Sequence, residues 1–346
     1  MLMQRSPMLP GLLLTIQALT IGSLTARAGE KASGYIDIPA GVDSATRVPI
    51  SILRGRQPGP TLALVAGTHG SEVAPIIALQ RVRQTLDAAN DLRGTLILVH
   101  VANMPSFVHR TIYRNPWDQK NLNRVYPGKP NGTVTERIAH AITTQIIDKA
   151  DYLVDMHAGD GNESLRPYTY WSDLRVDKRV DSLAKLMALA WGNDHIIIDT
   201  GRPKDPAASV YTTNTANLRG KPAITTEVGY LGVPDEEMIE RNYRSVLRLM
   251  RHLDMLPGPK EYVEHPVWID RNEVLTSPES GTWHALVQRG QTVQKGTPLG
   301  RVTDYFGNEI AVVRSPMTGV VLYIVGTPAI TKGEPLGMVG HLLEER

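Results

Sequence analysis

The chain has 346 residues, 42% hydrophobic and 21% charged, which is enough for a large core and a smaller appended unit. Its 37 Lys and Arg against 35 Asp and Glu leave a formal charge of +2, and both Arg5 and Arg27 fall in the first 28 residues, which hold no acid. The rest is therefore neutral and without a basic stripe, which excludes the electrostatic footprint of a nucleic-acid binder. No Cys is present, so disulfides, thiolate ligands and cysteine nucleophiles are excluded, and any metal would be held by His and carboxylates.

In chain order, residues 1–28 read as a signal peptide. Arg5 precedes an apolar stretch at 11–24 (GLLLTIQALTIGSL), and Ala26-Arg27-Ala28 offers small residues to a signal peptidase. The stretch is shorter than the ~20 residues a membrane span needs. The expectation is an exported protein, periplasmic or secreted, with no membrane span after cleavage; the alternative is an uncleaved anchor. Residues 29–258 then alternate between two periodicities. Short apolar runs at 48–53 (VPISIL), 61–66 (TLALVA) and 96–101 predict buried strands, and the apolar spacing over 73–86 predicts a helix. Thr133-Val134-Thr135-Glu136 predicts a capping box opening a helix through about 147. Strands at 152–156, 195–198 and 223–227 and helices around 176–191 and 235–254 continue the pattern. This order predicts an α/β sheet with helices on both faces, whose ligands lie beyond the carboxyl ends of the strands.

The residues just after those strands carry the chemistry. His69 and Glu72 form a His-x-x-Glu pair after 61–66, His157 follows 152–156, and Glu227 ends 223–227. Two His and one Glu can hold a hydrolytic zinc with a position left open for water, and a second Glu can take the proton from that water. His100, His109, His140, His195, His252, His265, His284 and His341 lack such a neighbourhood and read as locally hydrogen-bonded residues.

The order His-x-x-Glu, Asn-Arg, His, Glu resembles the zinc carboxypeptidase superfamily, and within it the succinylglutamate desuccinylase/aspartoacylase branch. The most specific stretch is 114–128 (RNPWDQKNLNRVYPG), which matches that branch's Arg, Pro, Asp, then Asp-Leu-Asn-Arg with an aromatic-Pro-Gly ending. Asn121 stands where the branch usually has Asp, and Gln119 where it often has Gly. The resemblance runs from about residue 35 to 346. It implies a zinc-carboxypeptidase-like α/β/α sandwich with a mixed sheet and one Zn2+ per chain on His69, Glu72 and His157. It further implies Glu227 as general base and acid, Arg114 polarising the scissile carbonyl, and Asn123 with Arg124 gripping a substrate carboxylate. A guanidinium suits that task because its fork binds a carboxylate in a bidentate, oriented way. The alternative for Arg114 and Arg124 is an ion pair with Asp118 or another acidic neighbour.

Residues 259–346, beyond Pro257-Gly258-Pro259, read as a small all-β domain. Ser277-Pro278-Glu279-Ser280-Gly281 recurs as Ser315-Pro316-Met317-Thr318-Gly319, and Lys295-Gly296-Thr297-Pro298-Leu299-Gly300 as Lys332-Gly333-Glu334-Pro335-Leu336-Gly337. This two-fold pattern resembles a biotinyl/lipoyl-type barrel sandwich. The turn between the halves, Asp304 to Asn308, has no Lys, so the expected role is a wall covering the cleft rather than a carrier arm. The favoured activity is hydrolysis of the amide bond of an N-acyl amino acid or related small carboxylate. The alternatives are a zinc carboxypeptidase acting on short or cell-wall peptides and a non-catalytic binding module; the oligomeric state is open. Asp160 and Glu163, just after His157, place two carboxylates near the cleft. They suggest a substrate amine; the plainer alternative has Asp160 orienting His157 or pairing with Arg166, and Glu163 solvated.

Overall fold

The computed structural model describes residues 18–343. It opens on a hairpin, β1 (Leu19–Ile21) with β2 (Leu24–Ala26), before β3 (Lys31–Ile38), β4 (Thr46–Arg54) and β5 (Gln57–Ala66). Ile21 and Ala26 are fully buried in the same apolar cluster as Ile36, Ile50 and Ile138. Part of the segment expected to leave with a signal peptide is therefore packed into the core, while residues 1–17 lie outside the described part. Among the described residues no helix is long and apolar enough to cross a membrane.

The elements α1 (Val73–Thr85), β6 (Arg93–Val99), α2 (Met104–His109), α3 (Val134–Gln145), β7 (Tyr152–His157), β8 (Glu163–Leu165) and β9 (Tyr168–Ser172) follow. Then come α4 (Lys178–Trp191), β10 (His195–Asp199), α5 (Thr212–Asn217), β11 (Ala223–Glu227), α6 (Glu236–His252) and β12 (Val267–Thr276). The expected capping box is present: Glu136 accepts from the Thr133 N–H at 3.0 Å. Alternation along single strands explains the continuous apolar runs. Leu62, Leu64 and Ala66 of β5 pack beneath α1, α4 and α6, where Leu79, Met187 and Leu249 meet them. Ala63 and Val65 of the same strand point the other way, toward Ile138 and Ile142 of α3. Two buried faces need two helical layers, and this is the α/β/α sandwich the resemblance implies.

The sheet is mixed, as expected. β6, β5, β7 and β11 lie side by side and parallel, while β9 runs antiparallel to β11 and parallel to β10. Periodicity did not reveal β3, β8, β9 or the short α2 and α5. β8 has only three residues, and β9 (YTYWS) is rich in aromatics without alternating polarity.

The C-terminal region is all-β, as expected. β12 pairs in parallel with β10, His195 opposite Val267, so the main sheet runs on into it. The remaining strands are β13 (Gly281–Ala285), β14 (Thr292–Val293), β15 (Pro298–Thr303), β16 (Glu309–Arg314), β17 (Gly319–Val325), β18 (Ala329–Ile330) and β19 (Pro335–Leu342). β12, β19, β17 and β14 continue the main sheet, and β16, β15, β13 and β18 form the facing one. The sequence repeat is a structural one. The Ser277 and Ser315 hydroxyls each donate to the carbonyl two residues on, at 2.6 Å, and their carbonyls accept from Gly333 and Gly296, at 2.8 Å in both cases. β8, from the loop after His157, pairs with β17, and the Gly326 N–H donates to the Asn162 carbonyl at 2.8 Å. The C-terminal region thereby braces the segment that follows His157.

Candidate active site

The site forms at the carboxyl ends of β5, β7 and β11. Beyond Ala66 the chain reverses at Gly67, where φ is +69° and a Cβ would lie 2.9 Å from the Val101 Cα. At Gly70 a Cβ would lie 2.4 Å from the carbonyl oxygens of both Ser106 and Thr111. This glycine-bearing turn sets His69 over Glu72, which stands at the N-cap of α1. His157 ends β7, and parallel register puts it directly beside Glu227 on β11. Neighbouring strands lie about 4.8 Å apart, so one hydrogen-bonded pairing brings the two side chains together.

Glu72 Oε1 lies 2.8 Å from His69 Nδ1 and 3.0 Å from His157 Nδ1. The three residues offer ligand atoms all within 4.8 Å of one another. The far nitrogens are held from outside. His157 Nε2 is 2.9 Å from Asp155 Oδ2, and His69 Nε2 is 3.2 Å from Asn121 Oδ1. A proton on each Nε2 leaves the Nδ1 lone pairs converging on one point, the arrangement in which outer acceptors orient metal-binding histidines. The donor set, two imidazole nitrogens and one carboxylate, therefore fits a divalent cation.

The electrostatics agree. Burial opposes charge on His157, but the carboxylates of Asp155 and Glu72 outweigh it and raise its pKa well above the ordinary value. His69 is raised too, burial again being outweighed by Glu72. Burial likewise opposes ionisation of Glu72, and the two histidines overcome it and hold the carboxyl below the usual range. A nest that retains protons so firmly is one that a metal cation can occupy in their place. Burial, aided by Glu72 and Glu163 and opposed by His157, raises Glu227 well above an ordinary glutamate. A carboxyl raised in this way takes up a proton more readily than an ordinary glutamate, as a general base must.

His69, His157 and Glu227 line one end of a cavity of about 120 Å³, and Asn123, Arg124, Arg202 and Tyr211 line the rest, with Tyr170, Thr213 and Thr225. Both guanidiniums lie over the Tyr211 ring, Arg202 at 3.9 Å and Arg124 at 4.7 Å from its centroid. Arg202 also pairs with Asp199, and Arg124 donates to the Asn123 carbonyl at 2.7 Å. Of the residues expected from sequence, the fold gathers His69, Glu72, His157, Glu227, Asn123 and Arg124. Arg114 it leaves outside: the side chain is exposed, donates to the Gln119 carbonyl at 3.0 Å and does not line the cavity. Asp118, its suggested ion-pair partner, instead accepts from the Thr135 N–H and hydroxyl. Asn123 is largely engaged with the protein, its Oδ1 accepting from the Thr212 N–H at 2.9 Å and its Nδ2 lying 3.4 Å from Asp155 Oδ2. Gln119 has φ +60°, the conformation that a glycine takes freely, so the substituted loop keeps its path.

Two residues escaped the sequence reading. Asp155 is two before His157 on one strand, hence on the same face, and that spacing could have marked it. Arg202 follows β10, where the strand-end rule leads. Asp160 neither orients His157 nor pairs with Arg166. Its oxygens accept from the N–H groups of Ser71, Tyr113 and Gly161, and Arg166 pairs with Asp194.

Comparison with known proteins identifies the family and the fold. Residues 58–253 match the family described as succinylglutamate desuccinylase/aspartoacylase catalytic domain. The N-alpha-acetyl-L-2,4-diaminobutyric acid deacetylase of Halomonas elongata is 27% identical over 323 residues, covering 90% of this chain and 92% of that protein. The product-bound structure of the ectoine utilization protein EutE (DoeB) from Ruegeria pomeroyi superposes with a TM-score of 0.81 at 25% identity, covering 94% of this chain and 98% of that one. The succinylglutamate desuccinylase/aspartoacylase structure from Rhodobacter sphaeroides, at TM-score 0.79 and 23% identity over 92% and 97% of the two chains, shares the fold.

Proposed function

The chain belongs to the succinylglutamate desuccinylase/aspartoacylase family, and we propose that it is a zinc-dependent deacylase that hydrolyses the amide bond of an N-acyl amino acid. The observation that carries this reading is the pairing, in one small cavity, of Glu227 beside the His69–Glu72–His157 cluster with two guanidiniums. A volume of about 120 Å³ suits a small acyl amino acid better than a peptide, which favours the deacylase over the carboxypeptidase reading. The name of the Halomonas relative supports the same reaction class.

His69, Glu72 and His157 would hold the metal, with Asp155 and Asn121 fixing their orientation. A divalent metal bound there would polarise an acyl carbonyl and lower the pKa of water to ~7. Arg124 and Arg202 receive the substrate carboxylate, which orients the amide toward the histidines. Glu227 takes a proton from the attacking water as its oxygen bonds to the acyl carbon. As the carbon–nitrogen bond breaks, the same proton passes to the leaving nitrogen, so that a free amine and a carboxylic acid are released.

The test is acetate release from Nα-acetyl amino acids by the purified protein, with and without a chelator. Turnover that stops on chelation, returns with zinc and falls sharply for the corresponding primary amides supports the reading. Turnover indifferent to both the chelator and the free carboxylate refutes it. Export, proposed from Arg5, the 11–24 stretch and Ala26-Arg27-Ala28, has its own measurement in the mass of the mature chain from a secreting host. Loss of residues 1–28 supports it, and retention of the buried β1–β2 hairpin opposes cleavage at that point.

A further inference from the structure

Among the carboxylates around the site, Glu163 is a buried one that pairs with no cation. Glu72 meets two histidines, Asp155 meets one, Asp160 accepts three backbone N–H groups, and Glu227 faces the cavity. Glu163 is only 9% exposed, yet among the described residues its carboxylate accepts a single hydrogen bond, from the Tyr113 hydroxyl at 2.5 Å, and forms no ion pair, although the charge of His69 acts on it from a distance. Burying a carboxylate without a cation is costly, and such a group either holds a proton or awaits a positive ligand.

Its position is built, not incidental. The Tyr113 ring stands edge-on to the cavity-lining His69, with centroids 5.8 Å apart, and its hydroxyl reaches Glu163. Glu163 opens β8, opposite Val325 of β17, and its carbonyl accepts from the Leu231 N–H at 2.8 Å. The charge of Glu163 is among the causes that, after burial, raise Tyr323 of β17 and Tyr168 of β9. The charge of Glu163 is also among the causes that raise Glu227. Burial pushes the Glu163 carboxyl up to about 7; the Tyr113 hydrogen bond opposes this, and Asp160 and Glu72 add to it.

We propose that Glu163, oriented by Tyr113, is a specificity residue that receives a side-chain ammonium of the substrate, so that the preferred substrates are N-acyl diamino acids. The inference rests on the deacylase reading. With the α-carboxylate at Arg124 and Arg202 and the acyl carbonyl at the histidine cluster, the third substituent of the α-carbon is left to meet another surface. A buried carboxylate whose one partner is a phenol matches a short cationic chain in charge.

The experiment compares kcat/KM for Nα-acetyl-L-2,4-diaminobutyrate and Nα-acetyl-L-norvaline, in which a methyl replaces the ammonium. It uses the full-length protein, Glu163→Gln and Glu163→Asp. Gln keeps an acceptor for the Tyr113 hydroxyl and removes the charge. The wild type is expected to prefer the amine by about 30-fold or more, the range for a buried hydrogen-bonded charge pair, and the Gln variant to lose most of that ratio. The Asp variant, which keeps the charge, should retain part of it. Equal turnover of the two substrates by the wild type overturns the assignment and leaves the deacylase reading standing. So does a Gln variant that slows both substrates by one factor, the mark of a purely structural role. Turnover of neither substrate by the wild type overturns both readings.

Discussion

The histidine–glutamate end of the cavity is made of strand termini, whereas the two guanidiniums at the other stand on irregular backbone. At the first end, His157 and Glu227 are adjacent rungs of a parallel ladder, and His69 and Glu72 are fixed by a glycine-bearing turn into α1. At the second, Arg124 comes from a short 3-10 turn and Arg202 from the loop after β10, and their shared support is the Tyr211 ring. Substrate binding sits where the backbone is irregular and open to change without disturbing the core.

The sharpest way to break this division is Glu227→Gln. It should leave metal content unchanged and lower kcat by about 10²–10⁴-fold, because proton transfer to and from the reacting atoms is lost. Metal analysis beside steady-state kinetics reads both, and a variant keeping a third of wild-type kcat would place the base elsewhere. At the loop end, Arg202→Ala and Arg124→Ala should each cost about 2–5 kcal/mol in kcat/KM for a free carboxylate and much less for its amide. A loss equal for acid and amide would mean that the guanidiniums only shape the loop. The smallest effect tests the strand end again: Asp155→Asn keeps the shape and should weaken metal binding by about 10–100-fold through its effect on His157. Titration with a competing chelator measures it, and unchanged affinity would show that β7 alone orients the imidazole.

Much of the first end was legible in the sequence because local rules placed it. The runs VPISIL and TLALVA had to be strands with two buried faces, and the strand-end rule then singled out His69, His157 and Glu227. Less of the second end was legible. Asn123 and Arg124 were found by resemblance to a family pattern, whereas Arg202 has no fixed spacing from any of them. Arg114 belongs to the same quoted stretch, yet it faces solvent here, because Tyr113 at φ +58° and Gln119 at +60° turn the loop so that its guanidinium meets the Gln119 carbonyl.

By itself the sequence determined the alternation of strands and helices and the all-β repeat at the C-terminal end, and it singled out the four residues of the histidine–glutamate end. These follow from periodicities of a few residues and from ends of strands, which are local properties. Only the tertiary structure decided that β12 joins the C-terminal region to the main sheet and that β8 pairs with β17 across 158 residues of chain, Leu165 opposite Tyr323. It alone separated Asp160, consumed by three backbone N–H groups, from Glu163, left with one phenol. Two carboxylates three residues apart look alike in sequence, and what distinguishes them is which donors distant segments bring to each.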